Sequence, residues 1–393
     1  MAGPSLEGLI NPDMLAWART QSRMDVATAA AKVHQTAERL TEWEAGTRAP
    51  TLNQLRELAN VYKRSVGVFF LKERPRVPRR PVDYRQFEVK ARETMTPALA
   101  NGMREAEAKR DAALDIYTQM EEAPPEWDLQ IRRDASADHA AEVILARLGV
   151  TMQTRAGWQN HYEALSGWRA AVESLGVLVV QLRNVPMEEM RGCSIAHFPL
   201  PVIILNSADS PLGRVFTLLH ELTHLARAES GLCDLTEDAP RAEADEQVEA
   251  FCNRVAGLVL VPPADLLRLP EVQRANDNTQ WRPESLQAMR RMFWTSQEVI
   301  LRRLLDNGKT SREFYRAMRE QFQRDYAAQR DQAGGPVPYY RVVLLNNGRL
   351  LTRLALNAYG AQAITGAELS RILNAKLDHL PKIREALKGE VIA

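Results

Sequence analysis

The chain has 393 residues, 45% of them hydrophobic, with 51 Lys and Arg against 50 Asp and Glu, for a net charge of +1. That length admits two or three domains with substantial cores, and the near balance of charge excludes a global field that would recruit nucleic acid, so any such contact has to be local. No stretch approaches the ~20 uninterrupted apolar residues of a membrane span, the start Met1-Ala2-Gly3-Pro4-Ser5-Leu6-Glu7 lacks the regions of a signal peptide, and Cys193, Cys233 and Cys252 form no Cys-x-x-Cys pair, so a cytoplasmic protein without a disulfide framework is expected.

Residues 13 to 71 read as a compact set of short helices. Val26 to Gly46 has the pattern helix, tight turn, helix, with Thr36 as the second N-cap and Gly46 as a C-terminal stop. Arg48-Ala49-Pro50-Thr51-Leu52 follows, then an amphipathic helix through Leu55, Leu58, Ala59 and Tyr62. Trp43-Glu44-x-Gly46 and Pro50-Thr51-Leu52 are the marks by which this module resembles the Cro/repressor, XRE-type helix-turn-helix. The resemblance implies a second helix lying in the major groove, with Gln35, Thr36, Glu38 and Arg39 as the residues facing base edges. Glu38, Glu42 and Glu44 oppose contact with phosphates, although residues 1–80 carry thirteen Lys and Arg against eight Asp and Glu. The other reading of the module is a retained fold used for partner docking or dimerisation.

The basic, proline-rich run from Lys72 to Pro81 is expected to be extended, because proline removes backbone donors and restricts its predecessor. A charged pattern from Glu88 to Glu122 then reads as one or two amphipathic helices with a fresh start at Pro97, ended by Pro124-Pro125. Residues 136–149 and 158–175 read as helices closing at Gly149 and Gly176. Val177 to Leu182, Cys193 to His197 and Val202 to Leu205 read as three short strands. One of these strands is expected to hold an extended substrate chain by strand addition.

The next stretch carries the chemistry. Ser210-Pro211 supplies an N-cap with proline at the first helical position, and Val215, Phe216, Leu218, Leu219, Leu222 and Leu225 follow at helical spacing. Within that helix lies His220-Glu221-Leu222-Thr223-His224. Four residues are roughly one turn, so the two imidazoles stack on one face and can close on a single metal ion. Glu221, about 100° round the helix, can reach a water beside that metal. A catalytic zinc site needs a third protein ligand. The run Glu249 to Pro262 reads as a second buried helix, with Phe251, Val255, Leu258 and Val259 on its packed face and Cys252 beside them as a core thiol. Glu246 and Glu249 are the candidate acids. Glu246 follows Glu243 and Asp245 in what reads as a solvated first turn, so Glu249 is chosen, with Asn253 one turn on as a group that steadies a ligand.

These residues closely resemble the ImmA/IrrE family of zinc metallopeptidases. The family's parts are here a strand ending in Asn206-Ser207, the helix with His220 to His224, and the Glu249 to Pro262 helix of Glu-x-x-x-Asn form. The resemblance carries His220, His224 and Glu249 over as zinc ligands and Glu221 as general base. It implies a specific regulatory protein as substrate, typically a helix-turn-helix repressor, cleaved in a stress or mobile-element response. His197 and Arg254 are open candidates for an oxyanion donor, with His197 more readily read as a strand or loop residue.

Beyond Pro270, Ser296 to Gly308 reads as a capped helix, Ser311 to Gln329 as a charged helix, and Tyr339 to Leu387 as further helices. No catalytic constellation is evident there, and partner binding or sensing is the expected use. The expected fold class is therefore mostly α with a small β-sheet (α+β). It comprises a helix-turn-helix bundle at 1–75, a basic linker at 76–90, a zincin-like metallopeptidase core at 91–290 and a helical region at 291–393. The competing reading is a DNA-binding regulator or antitoxin that uses the zinc fold as a scaffold.

Overall fold

The computed structural model describes residues 8–22, 24–62, 64–74, 95–227, 231–233, 243–330 and 337–388. The linker expected at 76–90 lies outside these residues. The chain divides into two compact units, 1–108 and 109–393.

The first unit is helical. Asn11, Asp25 and Thr36 accept backbone N–H groups at the starts of α1 (Pro12–Gln21), α2 (Val26–Lys32) and α3 (Ala37–Glu44), and α4 (Leu52–Tyr62) follows. Met14, Leu15, Leu40, Trp43, Leu55, Leu58, Tyr62 and Phe69 close one apolar core between them. Arg19 on α1 grips the Glu44 carboxylate on α3 with two hydrogen bonds of 2.7 and 2.9 Å. Thr36 spends its hydroxyl on the N–H of Arg39, and the Arg39 guanidinium stands 3.5 Å from Glu42. Gln35 is half-buried.

α5 (Pro97–Gln119) begins at the expected proline and crosses from the first unit into the second. The second unit continues with α6 (Ala137–Leu148), α7 (Met152–Ala156) and α8 (His161–Glu173). Ser136, Thr151 and Asn160 cap these three helices in turn. A sheet then forms from β1 (Leu178–Leu182), β2 (Gly192–Ile195) and β3 (Val202–Asn206), joined by β4 (Gly231–Cys233). The strand order is β1-β3-β2-β4, with β1 parallel to β3 and the remaining pairs antiparallel. Every residue of β1, β2 and β3 is buried. These strands are covered on both faces, which explains the near-continuous Val, Ile and Leu runs of β1 and β3.

Of the three strands expected to offer an edge to a substrate, β1 alone stands at an end of the described sheet. β2 and β3 lie inside the sheet. On β1, the carbonyl of Val179 accepts from the buried Arg169 guanidinium at 2.8 Å, and the same nitrogen reaches Leu345 O at 3.1 Å. α16 (Tyr339–Asn347) therefore lies along β1.

Of two long helices, α9 (Pro211–Ala226) packs on the sheet and α10 (Glu243–Leu260) packs on α9. α11 (Pro263–Leu266), α12 (Pro270–Arg274), α13 (Pro283–Phe293), α14 (Gln297–Asp306) and α15 (Arg312–Arg330) follow. The apolar core is continuous from α6 through α9 and α10 to Phe293, Ile300, Leu301 and Leu304, so it passes through the sequence position 290/291, which falls inside α13. Buried Arg155 stacks over Trp168 and donates to the carbonyls of Val259 and Leu260, satisfying two of the acceptors that the end of α10 leaves open. α17 (Arg349–Gly360), α18 (Gly366–Leu373) and α19 (Leu380–Lys388) complete a fold that is mostly α with a small sheet. Among the described residues, no helix is long and apolar enough to cross a membrane.

Candidate metal centre

α9 starts as its sequence dictates: Ser210 accepts the N–H of Gly213 at 3.0 Å, and Pro211 takes the first helical position, where no donor is needed. Val215, Leu218, Leu219, Leu222 and Leu225 are fully buried, which fixes the helix in rotation. That rotation carries three polar side chains into the interior with them, His220 at 1% exposure, Glu221 at 0% and His224 at 2%. Buried polar groups need partners, and α10 supplies them to the two histidines.

Glu249 turns its carboxylate to both rings, with Oε2 3.3 Å from His220 Nε2 and Oε1 3.3 Å from His224 Nε2. The two Nε2 atoms are 3.0 Å apart. Among the described residues, His220, His224 and Glu249 are the group whose donor atoms converge within 4.8 Å of one another. Glu246 is exposed at the start of the same helix. One turn beyond Glu249, Asn253 Oδ1 lies 2.9 Å from His220 Nδ1. A carbonyl oxygen only accepts, so Nδ1 carries the proton and the lone pair of Nε2 faces Glu249 and His224.

The electrostatics of this cluster favour positive charge at its centre. Burial raises the Glu249 pKa, but the facing His220 and His224 rings outweigh it and hold the carboxyl well below the usual carboxylate range. Burial works against a charged His224 ring, yet hydrogen bonds involving Cys252 and Glu249 raise its pKa well above the ordinary value. Cys252 is fully buried beside that ring, so its place in the core is also a place against a candidate ligand.

The donor set fits a divalent zinc ion. Ligand atoms about 2.0–2.1 Å from a shared tetrahedral ion stand about 3.3 Å from one another; here the two Nε2 atoms are 3.0 Å apart, and each stands 3.3 Å from one of the two Glu249 carboxylate oxygens. Two imidazole nitrogens with one carboxylate are also a combination that suits zinc.

Three features had a weak signal in the sequence or none. Gly192 opens β2 directly against α9: a Cβ there would fall 2.3 Å from Thr217 Cγ2 and 3.5 Å from Glu221 Oε1. A glycine at a strand start is the only trace of that approach. The pairing of Cys252 with His224 had none, and neither did β4. Arg254 is exposed and directed to Asp138 at 3.3 Å, while His197 is half-buried after β2 and outside the converging group.

Residues 172–305, which run from the end of α8 to α14, match the model of the IrrE N-terminal-like domain family, peptidase M78. The match spans about a third of the chain and contains the whole donor set together with the sheet. It supports the ImmA/IrrE resemblance and a metallopeptidase of zincin-like fold. Comparison with curated proteins found no match for the chain.

Proposed function

We propose that the chain is a zinc-dependent endopeptidase that cleaves a specific regulatory protein, a helix-turn-helix repressor, in a stress or mobile-element response. The observation that carries this reading is the convergence of His220, His224 and Glu249 on one point, with buried Glu221 on the same helix. The family match supports the peptidase class. The repressor as target rests on the resemblance of the motif residues to ImmA/IrrE proteins.

In this reading His220 Nε2, His224 Nε2 and a Glu249 oxygen hold zinc, and Asn253 keeps His220 in the tautomer that can donate its lone pair. Zinc bound there supplies a Lewis acid that polarises the scissile carbonyl and acidifies water. Glu221 takes a proton on its carboxylate from the attacking water and delivers it to the leaving amine. Its burial keeps bulk water from competing for that proton. The N-terminal unit serves as an XRE-type module that brings the enzyme to its target, through DNA or through the related domain of the repressor. Its second helix favours the protein partner, because Thr36 and Arg39, two of the four residues expected to face base edges, are engaged within α3.

Glu221→Gln tests the reading. The amide preserves size and leaves the donor set intact, so zinc content should stay at one per chain while target cleavage falls by about 10²–10⁴-fold, the range of general acid–base catalysis. A Glu221→Gln protein that holds zinc and still cleaves at the wild-type rate removes the hydrolytic reading and leaves the scaffold in its place.

A further inference from the structure

β4 follows the candidate ligands on α9 directly in the chain and turns back onto the sheet. Gly231–Cys233 pair antiparallel with β2, with Cys233 opposite Gly192, Leu232 opposite Cys193 and Gly231 opposite Ser194. The outward side of β2 is thus occupied by the chain's own strand. The covered stretch is also the part of the sheet that lies against the proposed base, because Gly192 is where the backbone of β2 meets Thr217 and Glu221 on α9. β4 itself lies alongside α9. The far edge of the sheet, at β1, is closed by Arg169 and α16.

A peptidase holds its substrate chain extended, and a sheet edge does this through main-chain hydrogen bonds, at a spacing of about 4.8 Å from the strand it joins. The position next to β2 that would bring such a chain past Glu221 is the position β4 fills. β4 has three residues, fewer than the ~5–6 of an ordinary strand, so its pairing contributes few bonds and a longer extended segment can outcompete it.

We propose that β4 is a resident strand in the substrate's place, an autoinhibitory contact that must leave residues 192–194 before a substrate chain can enter. The proposal rests on the peptidase reading. It makes binding an exchange of strands, so that a target with a long extended segment is cleaved and a short or structured one is spared.

The test uses the full-length zinc-loaded protein and an extended metal-directed probe longer than β4, the eight-residue hydroxamate Val-Thr-Val-Thr-Val-Thr-Leu-Gly-NHOH, with amide hydrogen exchange read by mass spectrometry. With the probe bound, the amides of 231–233 should exchange faster by about 10-fold or more, the equivalent of one or two lost hydrogen bonds, while those of 192–194 remain protected by the incoming chain. A second variant reads the same contact through affinity. Leu232→Pro fixes φ near about −65°, away from an extended strand, and removes an N–H. It should tighten hydroxamate binding about 10-fold at unchanged zinc content. Unchanged or slower exchange at 231–233 in the complex, or equal or weaker binding to Leu232→Pro, overturns the proposal and leaves the peptidase reading standing. Failure of the hydroxamate to bind either zinc-loaded protein overturns both.

Discussion

Asn253 Oδ1 accepts the Nδ1 proton of His220 across 2.9 Å, and Asn253 stands one turn beyond Glu249 on the same helix. α10 therefore supplies both a candidate ligand and the group that fixes another ligand's tautomer. Groups of this kind typically contribute 10–100-fold in metal affinity. Asn253→Ala should weaken zinc binding by about that factor with the fold intact, measured by competition against a chromophoric chelator. Asn253→Asp, which keeps an acceptor in place, should restore it. An Asn253→Ala protein with wild-type affinity would show that the burial of α9 alone orients His220.

Depth favours Glu249 over Glu246 as the proposed third ligand on α10. Glu249 reaches both imidazoles at 3.3 Å, whereas Glu246, almost one turn earlier, is exposed. Glu249→Ala should lose stoichiometric zinc and Glu246→Ala should retain it, as read by elemental analysis after dialysis against a weak chelator. The reverse result would transfer the ligand role to Glu246 and require α10 to turn about its axis.

Much of this centre was legible because it lies on two helices whose apolar spacing sets their rotation. Once Leu218, Leu219, Leu222 and Leu225 are placed inward, His220 and His224 have no other direction to take. Ser210-Pro211 fixed the start of α9 for a local reason, the cap, and the burial of Val255, Leu258 and Val259 similarly gave the packed face of α10. The sheet was legible as strands but not as an arrangement. Val202–Asn206 reads the same whether it is an edge or an interior strand, since pairing order is a long-range property that period-2 patterning does not encode. β4 escaped notice because three residues carry no periodicity. Buried charges escaped for a related reason: Arg169 and Glu173 occupy a helix that reads as an ordinary one, Arg155 lies on the short α7 that the sequence reading did not include, and only tertiary contacts supply the carbonyls and N–H groups that make their burial tolerable.

Glu173 gives the last prediction. Its carboxylate, at the end of α8, is fully buried and accepts the N–H of Arg349 on both oxygens, at 3.1 and 3.0 Å, at the start of α17. Gly348 makes room for it: φ is +75° there, and a Cβ would fall 2.3 Å from Glu173 Oε1 and 2.6 Å from the carbonyl of Val179. Burial pushes the Glu173 pKa up to about 7, against the opposing pull of Arg169 and of the Arg349 N–H. The unfolded chain releases the same proton at the ordinary value of 4.5. Between those values the folded protein binds more protons than the unfolded one, so the contribution of this group to stability must fall as pH rises. It is greatest below about pH 4.5, declines through about pH 7 by on the order of 3 kcal/mol, and is level above that. Glu173→Gln retains an acceptor for the Arg349 N–H but cannot titrate. Urea unfolding of both proteins from pH 4.5 to 8.5 should therefore show the wild type losing stability relative to Glu173→Gln across the lower part of the range, and running parallel to it above about pH 8. Curves that stay parallel throughout would mean that the Arg349 N–H and Arg169 together keep Glu173 ionised, and that α17 is docked by a permanent charge.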